Sequence, residues 1–105
     1  MESERRDDRC IVLVDGEIDL SNADEIGRAI EAAVPSDVTD VVLDLRSTSY
    51  LDSSGISLLV RFAERMRSRR QRVRVVTPEG SAVRAVLTIA GLSELLSMST
   101  EIDEA

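Results

Sequence analysis

The sequence predicts an α/β fold with a central mixed β-sheet of four to five strands and three to four α-helices. Short apolar runs alternate along the chain with segments whose apolar residues recur at helical spacing. Such alternation implies parallel strands that are joined by helical crossovers. The chain has 105 residues, which is the length of one domain. We therefore expect a single domain over residues 1–105, with its core over about residues 10–98.

Two strands and a helix are predicted in the first third of the chain. The charged first nine residues form at best a short edge strand, and the apolar run at residues 10–14 forms the next strand. Residues 16–19, Gly-Glu-Ile-Asp, break this pattern. Ser21, with Asp24 three positions later, is typical of a helix N-terminus, and Pro35 ends that helix.

A strand at residues 41–45 and an amphipathic helix at residues 54–69 follow. The strand prediction rests on an almost continuous apolar run. In the helical segment the apolar side chains share one face and the charged side chains the other. This pair repeats the alternation that begins the chain.

The last third is predicted to contain a strand at residues 73–76 and a third helix. Ser81 is expected to cap this helix and Gly91 to end it. A short strand at residues 95–98 would complete the sheet. The charged N-terminus and the acidic tail from residue 97 are expected to fray.

Composition excludes several classes of function. The formal net charge of −7 opposes binding to phosphate backbones, and aromatic residues make up only 2 % of the chain, which leaves few platforms for stacking on bases. The arginine-rich segment 65–74 is therefore interpreted as a solvated polar face. The chain has no histidine, the commonest general base and a usual zinc ligand. We expect no nucleic-acid partner and no cofactor.

Asp15, Glu17 and Asp19 alternate as carboxylates do in a calcium-binding loop. An EF-hand loop also needs glycine at its sixth position and glutamate at its twelfth. This chain has Leu20 and Ile26 there. We therefore expect no metal site.

The lengths of the apolar segments also predict the cellular location of the protein. No apolar run approaches the roughly 20 residues that a membrane-spanning helix requires, and the charged N-terminal residues lack the apolar stretch of a signal peptide. We expect a cytosolic, cytoplasmic protein with no membrane partner.

The stretch Leu-Asp-Ser-Ser-Gly-Ile at residues 51–56 joins a strand pattern to a helical one. A nucleophilic role for Ser53 or Ser54 would need a neighbouring base, and a chain with neither histidine nor lysine lacks the usual ones. We therefore expect no enzymatic activity. A serine that caps the helix is expected in any case, and the helix N-terminus would tolerate a phosphate group added there.

Three segments resemble the STAS domain of bacterial anti-sigma factor antagonists: residues 16–19, residues 41–56 with their Asp-Ser-Ser-Gly motif, and Ala-Gly-Leu at residues 90–92. The resemblance implies the STAS fold. It also implies that Ser53 is phosphorylated by an anti-sigma factor that is itself a serine kinase with a histidine-kinase-like ATPase fold. The unphosphorylated antagonist would bind that kinase and release the sigma factor, and a phosphoserine phosphatase would reset the switch.

The predicted site consists of the acceptor and a partner-binding surface around it. Ser53 is the expected acceptor, Asp52 and Ser54 shape its loop, and Gly55 permits close approach. The other candidates lie on residues 16–19 and on the second helix: Gly16, Glu17, Asp19, Ser57, Leu58 and Arg61. Leu58 has two interpretations: it is an exposed apolar contact for the partner, or it lies at the flank of the core.

A non-catalytic scaffold or accessory subunit of a stress-signalling or transport complex is the alternative function. STAS domains also occur in such assemblies, and a fold alone does not establish function. In that role Ser53 would only cap the helix.

Overall fold

The computed structural model of the protein describes residues 1–102, and the end of the tail that is expected to fray lies outside them. The elements within these residues are, in chain order, β1 (Glu2–Arg6), β2 (Arg9–Leu13), β3 (Gly16–Ile18), α1 (Ala23–Ala33), β4 (Asp40–Asp44), β5 (Thr48–Leu51), α2 (Ser53–Ser68), β6 (Arg72–Val76), α3 (Ala82–Ile89) and β7 (Ser97–Ser99).

Five strands form the central sheet in the order β1-β2-β4-β6-β7. β1 pairs antiparallel with β2, and the other neighbours pair in parallel. The prediction of a mixed α/β sheet is therefore confirmed. The expectation that the charged N-terminus frays is wrong for residues 2–6, which the pairing with β2 holds at the edge of the sheet. β1 is exposed along its whole length, as expected for a charged edge strand, whereas Val41, Val42 and Leu43 of the central strand β4 are buried.

The predicted fraying from residue 97 is wrong for the first part of the tail. Residues 97–99 form β7, two residues beyond the start of the predicted strand, and pair in parallel with β6. Met98 packs against the core, which explains why this segment is held in place.

β3 and β5 form a separate two-stranded parallel sheet, here called the ribbon. The sequence pattern indicates a break at residues 16–19 and no strand immediately before α2, so both strands were missed. β3 has 3 residues and β5 has 4, and both contain consecutive exposed residues. Such short segments lack the alternation by which a strand is predicted.

The helices agree closely with their predicted limits. α2 begins and ends one residue before the predicted range, and α1 ends ahead of Pro35 as expected. Ser81 caps α3, since its hydroxyl oxygen accepts the amide hydrogen of Arg84 at 3.1 Å. Gly91 follows α3 with φ of +79°, the left-handed conformation that glycine adopts at helix ends.

One cluster of buried side chains joins all three helices to one face of the central sheet. Its members include Ile30 of α1, Phe62 and Met66 of α2, Leu87 of α3 and Leu43 of β4. The opposite face carries a smaller cluster, in which Ile102 packs against Ile11, Val42 and Val76. α2 contacts α1, β5 and β6, and this packing fixes the start of α2 beside the ribbon.

Candidate functional site

The ribbon places residues 16–19 beside the serine pair. Ile18 pairs with Leu51, and the amide of Asp52 donates to the carbonyl oxygen of Ile18 at 3.3 Å. α2 begins at the next residue, Ser53. Residues 16–19 and the serine pair therefore lie at one edge of the fold.

Asp52, and not a serine, caps α2. Its Oδ1 atom accepts hydrogen bonds from the amides of Ser54 at 2.8 Å and Gly55 at 3.4 Å. The prediction of a serine cap is wrong because the helix begins one residue earlier than its apolar pattern suggests. The residue before Ser53 then occupies the capping position, where aspartate is as favourable as serine.

Ser53 is the exposed member of the serine pair. Its side chain forms no hydrogen bond with any of residues 1–102. Ser54 is half-buried, and its amide is held by Asp52. A protein that approaches the start of α2 would therefore meet the Ser53 hydroxyl group first.

Gly55 permits close approach between α2 and the protein's own ribbon. A Cβ atom at this position would lie 2.7 Å from Cγ of Leu51 and 3.2 Å from Cγ2 of Ile18. Gly55 is buried, so it does not form part of a surface that a partner could contact. Any side chain here would push the start of α2 away from the ribbon.

Ser57 and Arg61 extend the exposed surface of α2 beyond Ser53. These residues follow Ser53 at intervals of four, which places all three on one face of the helix. All are exposed, and the guanidinium of Arg61 lies 3.8 Å from the carboxylate of Asp24 in α1. Ser53, Ser57 and Arg61 thus form one exposed face of α2.

Leu58 is a core residue. Its side chain is 3 % exposed, so the interpretation as an exposed apolar contact is wrong and the core-flank interpretation is correct. A Cβ atom on Gly27 would lie 3.5 Å from Cγ of Leu58, which shows how closely α1 passes over this side of α2. The packing of α1 widens the buried face of α2 beyond the arc that its own apolar residues indicate.

Gly16, Glu17 and Asp19 form a rim beside Ser53. Gly16 has φ of +84°, the left-handed region that favours glycine, and Glu17 is exposed. The Oδ1 atom of Asp19 accepts hydrogen bonds from the hydroxyl group and the amide of Ser21 at 2.5 and 2.9 Å. These bonds, the hydroxyl group's first, hold the pKa of Asp19 below its ordinary value.

Ser21 therefore does not cap α1. The capping position is held by Asn22, whose side chain makes no capping hydrogen bond. Its Oδ1 atom accepts the amide hydrogen of Asp19 at 2.9 Å, and its Nδ2 atom donates to the Glu17 carbonyl oxygen at 2.8 Å. Asn22 thus holds the rim in shape, a role that the sequence pattern did not reveal.

The whole chain, residues 1–105, matches the family model of the STAS domain. The chain belongs to the STAS family. It is similar to a solved anti-sigma factor antagonist from Mycobacterium paratuberculosis, with 26 % sequence identity, a TM-score of 0.85, and coverage of 98 % of this chain and 86 % of that chain.

Two further solved structures share the STAS fold. The unphosphorylated form of the anti-sigma factor antagonist SpoIIAA has 24 % identity and a TM-score of 0.73, with 95 % of this chain and 88 % of that chain covered. A sulfate transporter family protein from Wolinella succinogenes has 17 % identity and a TM-score of 0.65, with 86 % and 73 % covered. Within residues 1–102 of the present STAS domain, no helix is long and apolar enough to cross a membrane.

Two exposed apolar side chains that the sequence pattern did not indicate border the rim of this STAS domain. Tyr50 pairs with Glu17 in the ribbon and is 48 % exposed, and Leu20 directly follows Asp19 and is 84 % exposed. Tyr50 lies within residues 41–56, the segment that resembles the STAS domain, two positions before Asp52. Its exposure depends on the ribbon, which the pattern did not indicate.

Asp44 and Arg46 form an ion pair where the chain leaves the central sheet for the ribbon. The guanidinium donates from Nε and Nη2 to the two carboxylate oxygens at 2.9 and 2.8 Å, and the Arg46 amide donates at 3.0 Å. The Asp44 side chain is only 2 % exposed. Burial by itself would raise the pKa of Asp44, but these hydrogen bonds and the arginine charge outweigh burial and hold the pKa below its ordinary value.

Proposed function

We propose that this STAS domain is an anti-sigma factor antagonist that is switched by phosphorylation of Ser53. The unphosphorylated form binds an anti-sigma factor serine kinase with a histidine-kinase-like ATPase fold in the cytoplasm, and this binding releases the sigma factor. The kinase transfers phosphate from ATP to Ser53 and the complex dissociates. A phosphoserine phosphatase returns the protein to its binding form.

The state of the Ser53 side chain is the observation that carries this proposal. The hydroxyl group is exposed, makes no hydrogen bond within residues 1–102, and stands at the edge where the ribbon meets α2. A kinase can reach it without unfolding any element. Ser54 offers a poorer acceptor because it is half-buried.

The similar solved structures support this function. The structure from Mycobacterium paratuberculosis is that of an anti-sigma factor antagonist. SpoIIAA, another antagonist, has been solved in its unphosphorylated and its phosphorylated form, the latter as a cell fate determinant from Bacillus. The same fold thus occurs in a protein that exists in both states.

The local charges explain how phosphate would weaken the complex. A phosphoserine carries about two negative charges at neutral pH, and here it would stand beside Asp52 and near the rim carboxylates Glu17 and Asp19. Asp52 already occupies the amides of Ser54 and Gly55, so the phosphate group would have to compete for the helix N-terminus. A partner surface that fits the neutral hydroxyl group would face desolvation cost and repulsion.

In this proposal the protein is a substrate and a binding module and has no catalytic activity. The carboxylate nearest to Ser53 in sequence, that of Asp52, is directed at backbone amides. Deprotonation of the Ser53 hydroxyl group therefore falls to a base supplied by the kinase.

The test uses the wild type, S53A and S54A with the anti-sigma factor kinase and ATP. The wild type and S54A should each gain one phosphate, mapped to Ser53 by mass spectrometry, and S53A should gain none. Unphosphorylated wild type should bind the kinase, and the phosphorylated form should bind at least tenfold more weakly. Binding that does not respond to phosphorylation would favour the scaffold function, and phosphate on Ser54 would show that the acceptor is misassigned.

A further inference from the structure

Three arginines at the C-terminal end of α2 form a basic surface that the proposed switch does not use. Arg67, Arg69 and Arg70, here called the arginine patch, are exposed and have no ion-pair partner among residues 1–102. Their neighbours differ in this respect. Arg65 lies 3.1 Å from the carboxylate of Glu31, and Arg72 lies 3.1 Å from that of Asp40.

The backbone of Arg70 adopts a conformation that disfavours arginine. Its φ is +61°, and its amide donates to the carbonyl oxygen of Arg67 at 3.0 Å, while the next amide, of Gln71, donates to Met66 at 2.9 Å. These two bonds define a Schellman motif, in which glycine is the usual residue at the left-handed position. Arg70 therefore occupies a position at which the backbone conformation favours glycine. A strained residue that is kept at such a position indicates a functional role for its side chain.

The patch is also held rigidly. The Gln71 side chain is buried, and its Nε2 atom donates to the carbonyl oxygens of Pro35 and Val38, at 2.9 Å in both cases. These bonds tie the turn that carries Arg70 to the loop between α1 and β4. A partner would therefore meet guanidinium groups on an ordered backbone, which lowers the entropy lost on binding.

We infer that the arginine patch is a docking site for a short acidic segment of a partner protein. Guanidinium groups pair with carboxylates through two parallel hydrogen bonds, so three unpaired arginines within four positions suit a segment with several aspartates or glutamates. Arg65 and Arg72 remain 61 % and 84 % exposed despite their ion pairs and border the patch.

The surroundings favour a protein segment over other polyanions. The net charge of −7 repels a long phosphate backbone, and the patch has no aromatic side chain on which a base could stack. Nor does it contain an apolar residue that could enter a lipid surface, because the neighbouring apolar residue Met66 is fully buried. A short acidic segment needs only the local positive charge.

The patch lies at the opposite end of α2 from Ser53. At 1.5 Å per residue, the helix from Ser53 to Ser68 is about 24 Å long, more than two Debye lengths at physiological salt. Phosphorylation of Ser53 should therefore leave the patch unaffected. The domain could hold an acidic partner there while a second protein engages the start of α2, so this inference goes beyond the proposed function and does not depend on it.

The test measures fluorescence anisotropy of a labelled ten-residue peptide of alternating glutamate and glycine. The wild type should bind it saturably at 25 mM NaCl and several-fold more weakly at 150 mM. R67Q/R69Q/R70Q should lose at least tenfold in affinity. The control R6Q/R28Q removes two exposed arginines elsewhere and should stay within twofold of the wild type, whereas R67Q/R70Q, with the same change in charge, should bind several-fold more weakly. R70G, which relieves the backbone strain, should also bind more weakly.

Several outcomes would overturn the inference. These are the absence of saturable binding, an equal loss in the control variant, or tighter binding of a labelled oligonucleotide or of anionic vesicles than of the peptide. At 150 mM NaCl, S53D should bind the peptide like the wild type, so failure of the Ser53 switch and failure of the arginine patch give different results. Amide spectra of each variant establish that it is folded.

Discussion

The carboxylate of Asp52 accepts the amide hydrogen of Ser54 at 2.8 Å, so the N-terminus of α2 is already capped before any phosphate is added to Ser53. The capping group and the proposed acceptor are therefore separate residues. Asp52 can be removed without touching the hydroxyl group, and Ser53 without touching the cap.

The first prediction follows from this separation. D52A should lower the free energy of unfolding by about 0.5–2 kcal/mol, the usual effect of losing a helix cap, and D52N should lower it less because an acceptor oxygen remains. S53A should change it little, since the Ser53 side chain is exposed and unbonded. Urea denaturation measures all three. An equal loss in S53A and D52A would mean that the serine shares in capping.

S53D should weaken kinase binding while changing the stability of the fold only slightly. The added carboxylate stands at the positive end of a helix dipole but next to Asp52, so the free energy of unfolding should change by no more than about 1 kcal/mol. Binding to the kinase should weaken strongly. Amide chemical shifts should change mainly in residues 16–20 and 50–60. Shift changes that reach β6 or α3 would contradict a local electrostatic switch.

Two helical glycines should respond to alanine in opposite directions. G55A places a methyl group 2.7 Å from Leu51 and should cost about 1–3 kcal/mol through overpacking. G27A places one at an ordinary contact distance of 3.5 Å from Leu58 and should stabilise α1 by up to about 1 kcal/mol. Thermal and urea unfolding measure both. If G55A leaves the free energy of unfolding unchanged, the ribbon can shift to accommodate the added methyl group at little cost.

Acid unfolding should depend on the Asp44–Arg46 ion pair. The pKa of Asp44 is lower in the folded protein than in the unfolded chain. The ionised carboxylate therefore contributes fully to stability above its unfolded-state pKa of about 3.9, and this contribution is lost as the pH falls through its folded-state pKa. D44N should make stability below about pH 4 less dependent on pH.

R46Q should have a different effect from D44N, because it leaves a buried carboxylate without its cation. The pKa of Asp44 would then rise through burial, and acid unfolding should begin at a higher pH. Unfolding followed by circular dichroism between pH 2 and 7 distinguishes the two variants. Identical pH profiles for wild type and R46Q would contradict this role of the ion pair.

Because the backbone of Arg70 is left-handed, replacement by glycine should affect stability differently at position 70 and at position 69. R70G should be at least as stable as the wild type because glycine adopts positive φ without strain. R69G should lose about 0.5–1 kcal/mol, since Arg69 has φ of −95° and glycine there adds only unfolded-state entropy. Both variants remove one positive charge, so the comparison isolates the backbone. Equal unfolding midpoints for R70G and R69G would contradict the presence of backbone strain at Arg70.

Local sequence patterns are enough to predict the strands β2, β4 and β6, the helices α2 and α3, and the motif around Ser53. These features depend on local signals: apolar runs, helical periodicity, and caps such as Ser81 and Gly91. The ribbon and the burial of Leu58 depend on tertiary packing, whereas the cap at Asp52 is a local contact with the amides of Ser54 and Gly55 that the apolar pattern did not indicate. β3 and β5 exist because they pair with each other, and Leu58 is buried because α1 passes over it. Contacts between segments distant in sequence leave no periodic pattern in either segment, so they could not be predicted from the chain.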